Sequence, residues 1–244
     1  MDLNVKEIIS PELYDKFFKE IDRPCDDVDL YLLLRAWEYV TAMIRCGPAM
    51  EKLYGDIKQR LSDILITPEI TQRIVAGLED SLPYLRKRCG RFMLVNDIGE
   101  CGEVALRLLR DEEPTVRHHI CETLHSIPVT ATFTQLERLA QNDPFPSVRA
   151  FAAQALAKGE PIKVIPILLH IHETDKEYEE ELEFDAVSEY AAFALDEILK
   201  TNWINVDLGN GLFMMRPGGR DYISLVQHAK SYLERLKREQ AGEA

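Results

Sequence analysis

His118, Cys121 and His125 are the side chains whose types and spacing first suggest chemistry. They fall at i, i+3 and i+7 in an apolar-periodic stretch, so a helix sets them toward one face. Imidazole and thiolate are zinc ligands, but a tetrahedral site needs a fourth donor, and none stands at diagnostic spacing. The five cysteines (Cys25, Cys46, Cys89, Cys101 and Cys121) form no CxxC pair. Cys121 sits among apolar neighbours as a small core residue, and the set reads as free thiols of a reducing compartment. His170 and His172 lie on opposite flanks of a helix. Gly209-Asn210-Gly211 is too short to cradle a phosphate, and no nucleophile elbow is present. The residues therefore predict no catalytic group, no metal and no cofactor, and a protein that is not an enzyme.

The elements that hold these side chains repeat. Val116-Arg117-His118-His119-Ile120-Cys121-Glu122-Thr123-Leu124 aligns with Val148-Arg149-Ala150-Phe151-Ala152-Ala153-Gln154-Ala155-Leu156, 32 residues on, and with Val187-Ser188-Glu189-Tyr190-Ala191-Ala192-Phe193-Ala194-Leu195, a further 39 on. A looser copy has Leu85, Cys89 and Met93 in the places of Val148, Ala152 and Leu156. Units of this length mark stacked helical hairpins, each burying its apolar face against its neighbours. Helix pairs are expected over 70–81 with 83–95, 102–110 with 115–126, 132–141 with 147–158, and 161–173 with 185–200. Arg117 and Arg149, just inside the second helices, are expected to pair with turn acids such as Asp111 and Asp143.

Residues 1–66 read as a helical cap, with helices over 11–21, 29–45 and 49–65, and Thr67-Pro68 as the next helix start. Beyond residue 200, Ile204 to Leu208 and Leu212 to Met215 flank Gly209-Asn210-Gly211 as a β-hairpin amid helices. A closing helix begins after Asp221, with Ile223, Val226, Leu233 and Leu236 inward. The fold class is all-α: an α-α superhelix with a helical N-terminal cap, an array over 67–200, and a small β-hairpin and capping helix over 201–244, all one continuous unit.

Asp143-Pro144-Phe145-Pro146-Ser147-Val148-Arg149, followed by Ala152-Ala153 and Ala155-Leu156, resembles the HEAT repeat, in the short variety also found in phycobilisome lyases. The resemblance covers roughly residues 83–200. It implies a curved solenoid whose second helices line the inner surface. HEAT enzymes with a di-iron site draw on several His-Glu dipeptides, whereas this chain has His172-Glu173 alone.

Charge narrows the class of partner. The formal net charge of -13 and pI near 5.0 exclude general nucleic-acid binding, which needs a basic footprint. Apolar runs such as 30–34 and 164–169 are far short of a membrane span, and the opening residues show no secretory pattern, so a cytoplasmic location is expected. Nine acids against Lys176 crowd residues 173–189, including Glu179, Glu180 and Glu181, and this run is an electrostatic lure for a basic partner or a solubilising loop.

If positions zero, four, five and eight of each second helix face the core, positions two, three and six face outward. These are Lys87, Arg88 and Arg91; His118, His119 and Glu122; Ala150, Phe151 and Gln154; and Glu189, Tyr190 and Phe193. Phe151, Tyr190 and Phe193 stand where repeat geometry predicts solvent, which points to a partner surface unless the hairpin or last helix covers it. The expected function is a scaffold binding a basic protein, in a sharper form an inhibitor or immunity-type protein. The alternatives are a lyase-like or cofactor-handling protein using His118, His119 and Cys121, and a structural subunit of a larger assembly.

Overall fold

Proline marks where the helices begin. Pro48, Pro68, Pro83, Pro114, Pro146 and Pro161 each open one, because proline lacks only an N–H that the first turn leaves unpaired anyway. The computed structural model describes residues 33–34, 48–64, 66–178, 186–201, 203–207, 213–215 and 221–242. The helices expected over 11–21 and 29–45, the acidic residues Glu179 to Glu181 and the Gly209–Gly211 turn fall outside them, apart from Leu33 and Leu34, which are helical and buried.

The chain divides into two compact units, residues 1–93 and 94–244. In the first unit, α1 (Pro48–Asp63) buries Leu53, Ile57 and Leu61 at four-residue spacing. The Thr67 side chain then caps α2 (Pro68–Gly77) by accepting from the Ile70 N–H at 3.2 Å. The next helix, α3 (Pro83–Val95), reaches the boundary.

The second unit carries the array of stacked helical hairpins. Its helices pair as α4 (Cys101–Leu108) with α5 (Pro114–Ser126), α6 (Phe133–Asn142) with α7 (Pro146–Ala155), and α8 (Pro161–Thr174) with α9 (Val187–Leu199). The second helices α5, α7 and α9 pack side by side, α7 between the other two. Positions zero, four, five and eight of each are fully or almost fully buried, as are the alanines at position seven of α7 and α9. Alanine at these places lets helix axes approach closely. Leu156–Lys158 continues α7 as a turn of 3-10 helix, ended by Gly159. There a Cβ would lie 2.8 Å from Val164 Cγ1 and 3.2 Å from the Leu156 carbonyl, so close passage into α8 requires glycine.

The turns carry a regular device. Asp80, Asp111, Asp143 and Asp175 each accept, through a carboxylate oxygen, the N–H two residues on, at 2.8 to 3.3 Å. These aspartates are 31, 32 and 32 residues apart, so the lengthening of the last unit falls wholly after Asp175. The arginine six residues further along donates to the carbonyl of the same aspartate: Arg86 to Asp80, Arg117 to Asp111 and Arg149 to Asp143, each at 2.8 Å.

The expected side-chain pairings are corrected here by one unit. Arg117 is clamped to the carboxylate of Asp143, not Asp111, and Arg149 to Asp175 and Glu177, not Asp143. The own-turn aspartate takes Nη1 on its backbone carbonyl, which leaves the Nε and Nη2 edge of the guanidinium to donate to the next turn's carboxylate. The resulting ties hold successive hairpins in register. At the third copy Ser188 replaces the arginine, and its N–H donates to the Asp175 carbonyl at 2.9 Å.

Asp196, buried near the end of α9, receives the Thr201 hydroxyl and the N–H groups of Trp203 and Ile204, directing the chain out of the array. Antiparallel β1 (Asn205–Asp207) and β2 (Phe213–Met215) follow, with Val206 opposite Met214. The last helix, α10 (Tyr222–Ala241), starts at Asp221, whose carboxylate accepts from the Ser224 N–H at 3.0 Å. It packs on α8 and α9 through Leu225, Ala229 and Leu233. Ile223, expected inward, is 74% exposed, and Val226 and Leu236 are only half-buried. The close approach is made through Ala229, which shifts the buried stripe away from Ile223. Salt bridges at i, i+3 and i+4 line the exposed part of α10, giving the terminal layer a polar outer surface.

Candidate functional site

In an α-helix positions three, six and ten recur on one side, about 60° wide at 100° per residue, opposite the buried positions. On the three packed second helices this side forms ordered rows. The first holds His119, Phe151 and Tyr190, with His118 one place before His119; the next Glu122, Gln154 and Phe193; the last Lys158 and Glu197 at position ten, with His125 at position nine of its helix. Apart from Glu122 and Lys158, which are exposed, every member is half-buried.

The first row, extended by Phe193 of the next, is a continuous aromatic strip. His118 stacks on Phe151 with ring centroids 4.1 Å apart and planes 23° from parallel. Phe151 meets Tyr190 at 5.2 Å and 51°, and Tyr190 meets Phe193 at 5.8 Å and 57°. Such offset and tilted contacts suit the ring quadrupoles. The rings expected to stand uncovered are thus corrected to half-buried, because each shields the next, His118, Phe151 and Tyr190 across the helix seams and Phe193 along α9.

The last row is ionic. Glu197 of α9 accepts from His125 Nε2 of α5 at 2.8 Å and from Lys158, which follows α7. Burial works against ionisation of Glu197, but these two hydrogen bonds outweigh it and hold its carboxyl below the usual range. The pair joins α5 to α9 across α7. It went unforeseen because positions nine and ten lie past the repeated phrase, although Lys158 and Glu197 occupy the same register position.

Other sequence-selected residues stand elsewhere. Lys87, Arg88 and Arg91 lie in the first unit. Arg88 is a correction: it is buried, not outward, since α3 buries a wider arc including Phe92 and Leu94. Ala150 is fully buried as well, its methyl closed over where α5 and α9 flank α7. His119 Nδ1 lies 3.2 Å from Glu122. Cys121 is fully buried, and burial pushes its thiol far up, so it is packing and not a nucleophile. Among the described residues no group of three or more histidine, cysteine, aspartate or glutamate side chains is placed to hold a metal.

The carboxy-terminal helix reaches the neighbourhood of the strip but meets a different residue. The Tyr222 hydroxyl donates to Glu189 at 3.0 Å, its ring lies 5.4 Å from His172, and Trp203 stands edge-on to His228 at 5.3 Å. His172 Nδ1 donates to the Ser188 carbonyl at 2.8 Å, and burial lowers its pKa.

Three successive helical hairpins, joined by arginine–aspartate ties and presenting their second helices as one layer, define a helical-repeat protein. The family model of HEAT repeats matches residues 102–197, so this stretch is a HEAT-repeat segment. Comparison with curated proteins and with solved structures gave no match. Among the described residues no helix is long and apolar enough to cross a membrane.

Proposed function

We propose that this chain is a protein-binding scaffold whose partner docks on the second-helix layer of the HEAT-repeat segment. HEAT repeats commonly mediate protein–protein interaction. The observation that carries the reading is the aromatic strip His118–Phe151–Tyr190–Phe193, which crosses three helices without a break. Aromatic side chains supply large contact area at low entropic cost and are enriched where proteins meet. The net charge of -13 favours a basic partner, which the acidic run 173–189 would steer toward the array. An inhibitor or immunity-type role, masking a basic effector, fits that charge.

Site-specific photo-crosslinking in native lysate tests the reading. A crosslinker at Gln154, in the middle row, is expected to capture one protein that the same group at exposed Arg138 on α6 does not. Equal capture at both positions, or none, contradicts it.

A further inference from the structure

Between the end of α8 and the start of α10 lies an open groove of about 420 Å³. His172, Glu173 and Lys176 line it from α8 and the turn that follows, and Tyr222, Ile223 and Val226 from α10. Its charged groups are already engaged, Glu173 with Lys230 at 3.0 Å and Lys176 with the His172 carbonyl. Both rings are held too, His172 by the Ser188 carbonyl and Tyr222 by Glu189. What the groove offers an occupant is therefore apolar surface. Ile223 and Val226 stand one turn apart on the same side of α10, and Ile223 is 74% exposed.

Shape and charge specify the occupant. Each layer of the array is a pair of helices, whereas among the described residues α10 alone follows α9, which leaves the flank of α8 beside it open to another helix. The surroundings are acidic: residues 173–189 hold nine acids against Lys176, and Arg149 and Lys230 reach in from outside the run. Pairing within the run does not remove that surplus. It repels a second copy of a chain whose net charge is -13 and attracts a basic one.

We infer that the groove takes an amphipathic helix of a basic partner protein, its aliphatic side chains set against Ile223 and Val226 and its other face carrying lysine or arginine. Apolar burial holds the helix, and the long-range field selects which helix arrives. This surface is separate from the second-helix layer and does not depend on it.

The probe is a helical peptide of about 18 residues with leucine along one side and lysine along the other. It is titrated into the full chain at physiological salt and followed by fluorescence anisotropy. It is expected to bind roughly tenfold more tightly than the same peptide with alanine for leucine, and to outbind a version with glutamate for lysine by at least as much. Ile223→Ser, at an exposed site whose folding circular dichroism checks, is expected to abolish the preference for leucine. Equal affinity for the leucine and alanine peptides, or for the lysine and glutamate peptides, overturns the assignment. So does a leucine preference that survives Ile223→Ser, or one lost instead in Phe151→Leu with Tyr190→Leu, which would seat the peptide on the aromatic strip. A dimer of the chain alone in sedimentation, dissolved by Ile223→Ser, would make the occupant a second copy and overturn the basic partner. Crosslinking from position 154 reports on the second-helix layer alone, so failure of one reading is distinguishable from failure of the other.

Discussion

The guanidinium of Arg117 donates from Nε and Nη2 to both carboxylate oxygens of Asp143, at 2.8 and 2.9 Å, joining one hairpin to the next. Both side chains are almost fully enclosed, at 10% and 4% exposure. A buried bidentate pair of this kind fixes register, because the guanidinium fork and the carboxylate match in one geometry only.

Removing one partner leaves the other charge stranded. Arg117→Ala is expected to destabilise the chain by about 3–5 kcal/mol, and Asp143→Asn by a comparable amount, since Asp143 also caps its own turn. The double change should cost clearly less than the sum of the two. Denaturant unfolding followed by circular dichroism checks this, and additive losses would mean that the residues act independently.

Acid should weaken the tie between α5 and α9. The carboxyl of Glu197 is held below the ordinary glutamate value, so its contribution is fully present above that value and is lost as pH falls through the lower folded one. The side chain is 34% exposed, which limits the effect to within about 1 kcal/mol. Melting curves of the native chain and Glu197→Gln should therefore lie apart at neutral pH and close together as the medium becomes strongly acidic. Curves that stay parallel throughout would contradict the assignment.

The cysteines should differ in reactivity by position. Cys89 and Cys121 are fully buried, the former raised to about 12, and both should react with a thiol reagent only on unfolding. Cys101 is only partly covered, yet partial burial and then the Asp97 carboxylate, 3.5 Å from its sulfur, raise its pKa too. Asp97→Asn should speed its modification several-fold at mildly alkaline pH, measured on a variant whose other cysteines are serine. An unchanged rate would remove Asp97 as the cause.

The array was legible in the sequence because its signal is periodic. Valine, alanine and leucine at fixed places in 116–124, 148–156 and 187–195 specify the buried side of each second helix, and the structure buries those residues. The rings of Phe151 and Tyr190 could be placed on the opposite side for the same reason. Their contact with one another could not, since it depends on how far α7 and α9 slide past each other. Arg117 and Arg149 were recognisable as structural, but spacing alone favours the nearest acid, and the true partner lies 26 residues away across the stack. Ile223 was misjudged because alanine is easily overlooked in an apolar count, and Ala229 sets the contact of α10.

Binding affinity for the captured partner, compared between the unaltered chain and Phe151→Leu with Tyr190→Leu, tests the central claim most directly. The account predicts at least a roughly tenfold weaker complex with the unfolding midpoint nearly unchanged, as expected for aromatic anchors at the centre of an interface. An affinity that does not change while the variant remains folded would contradict it.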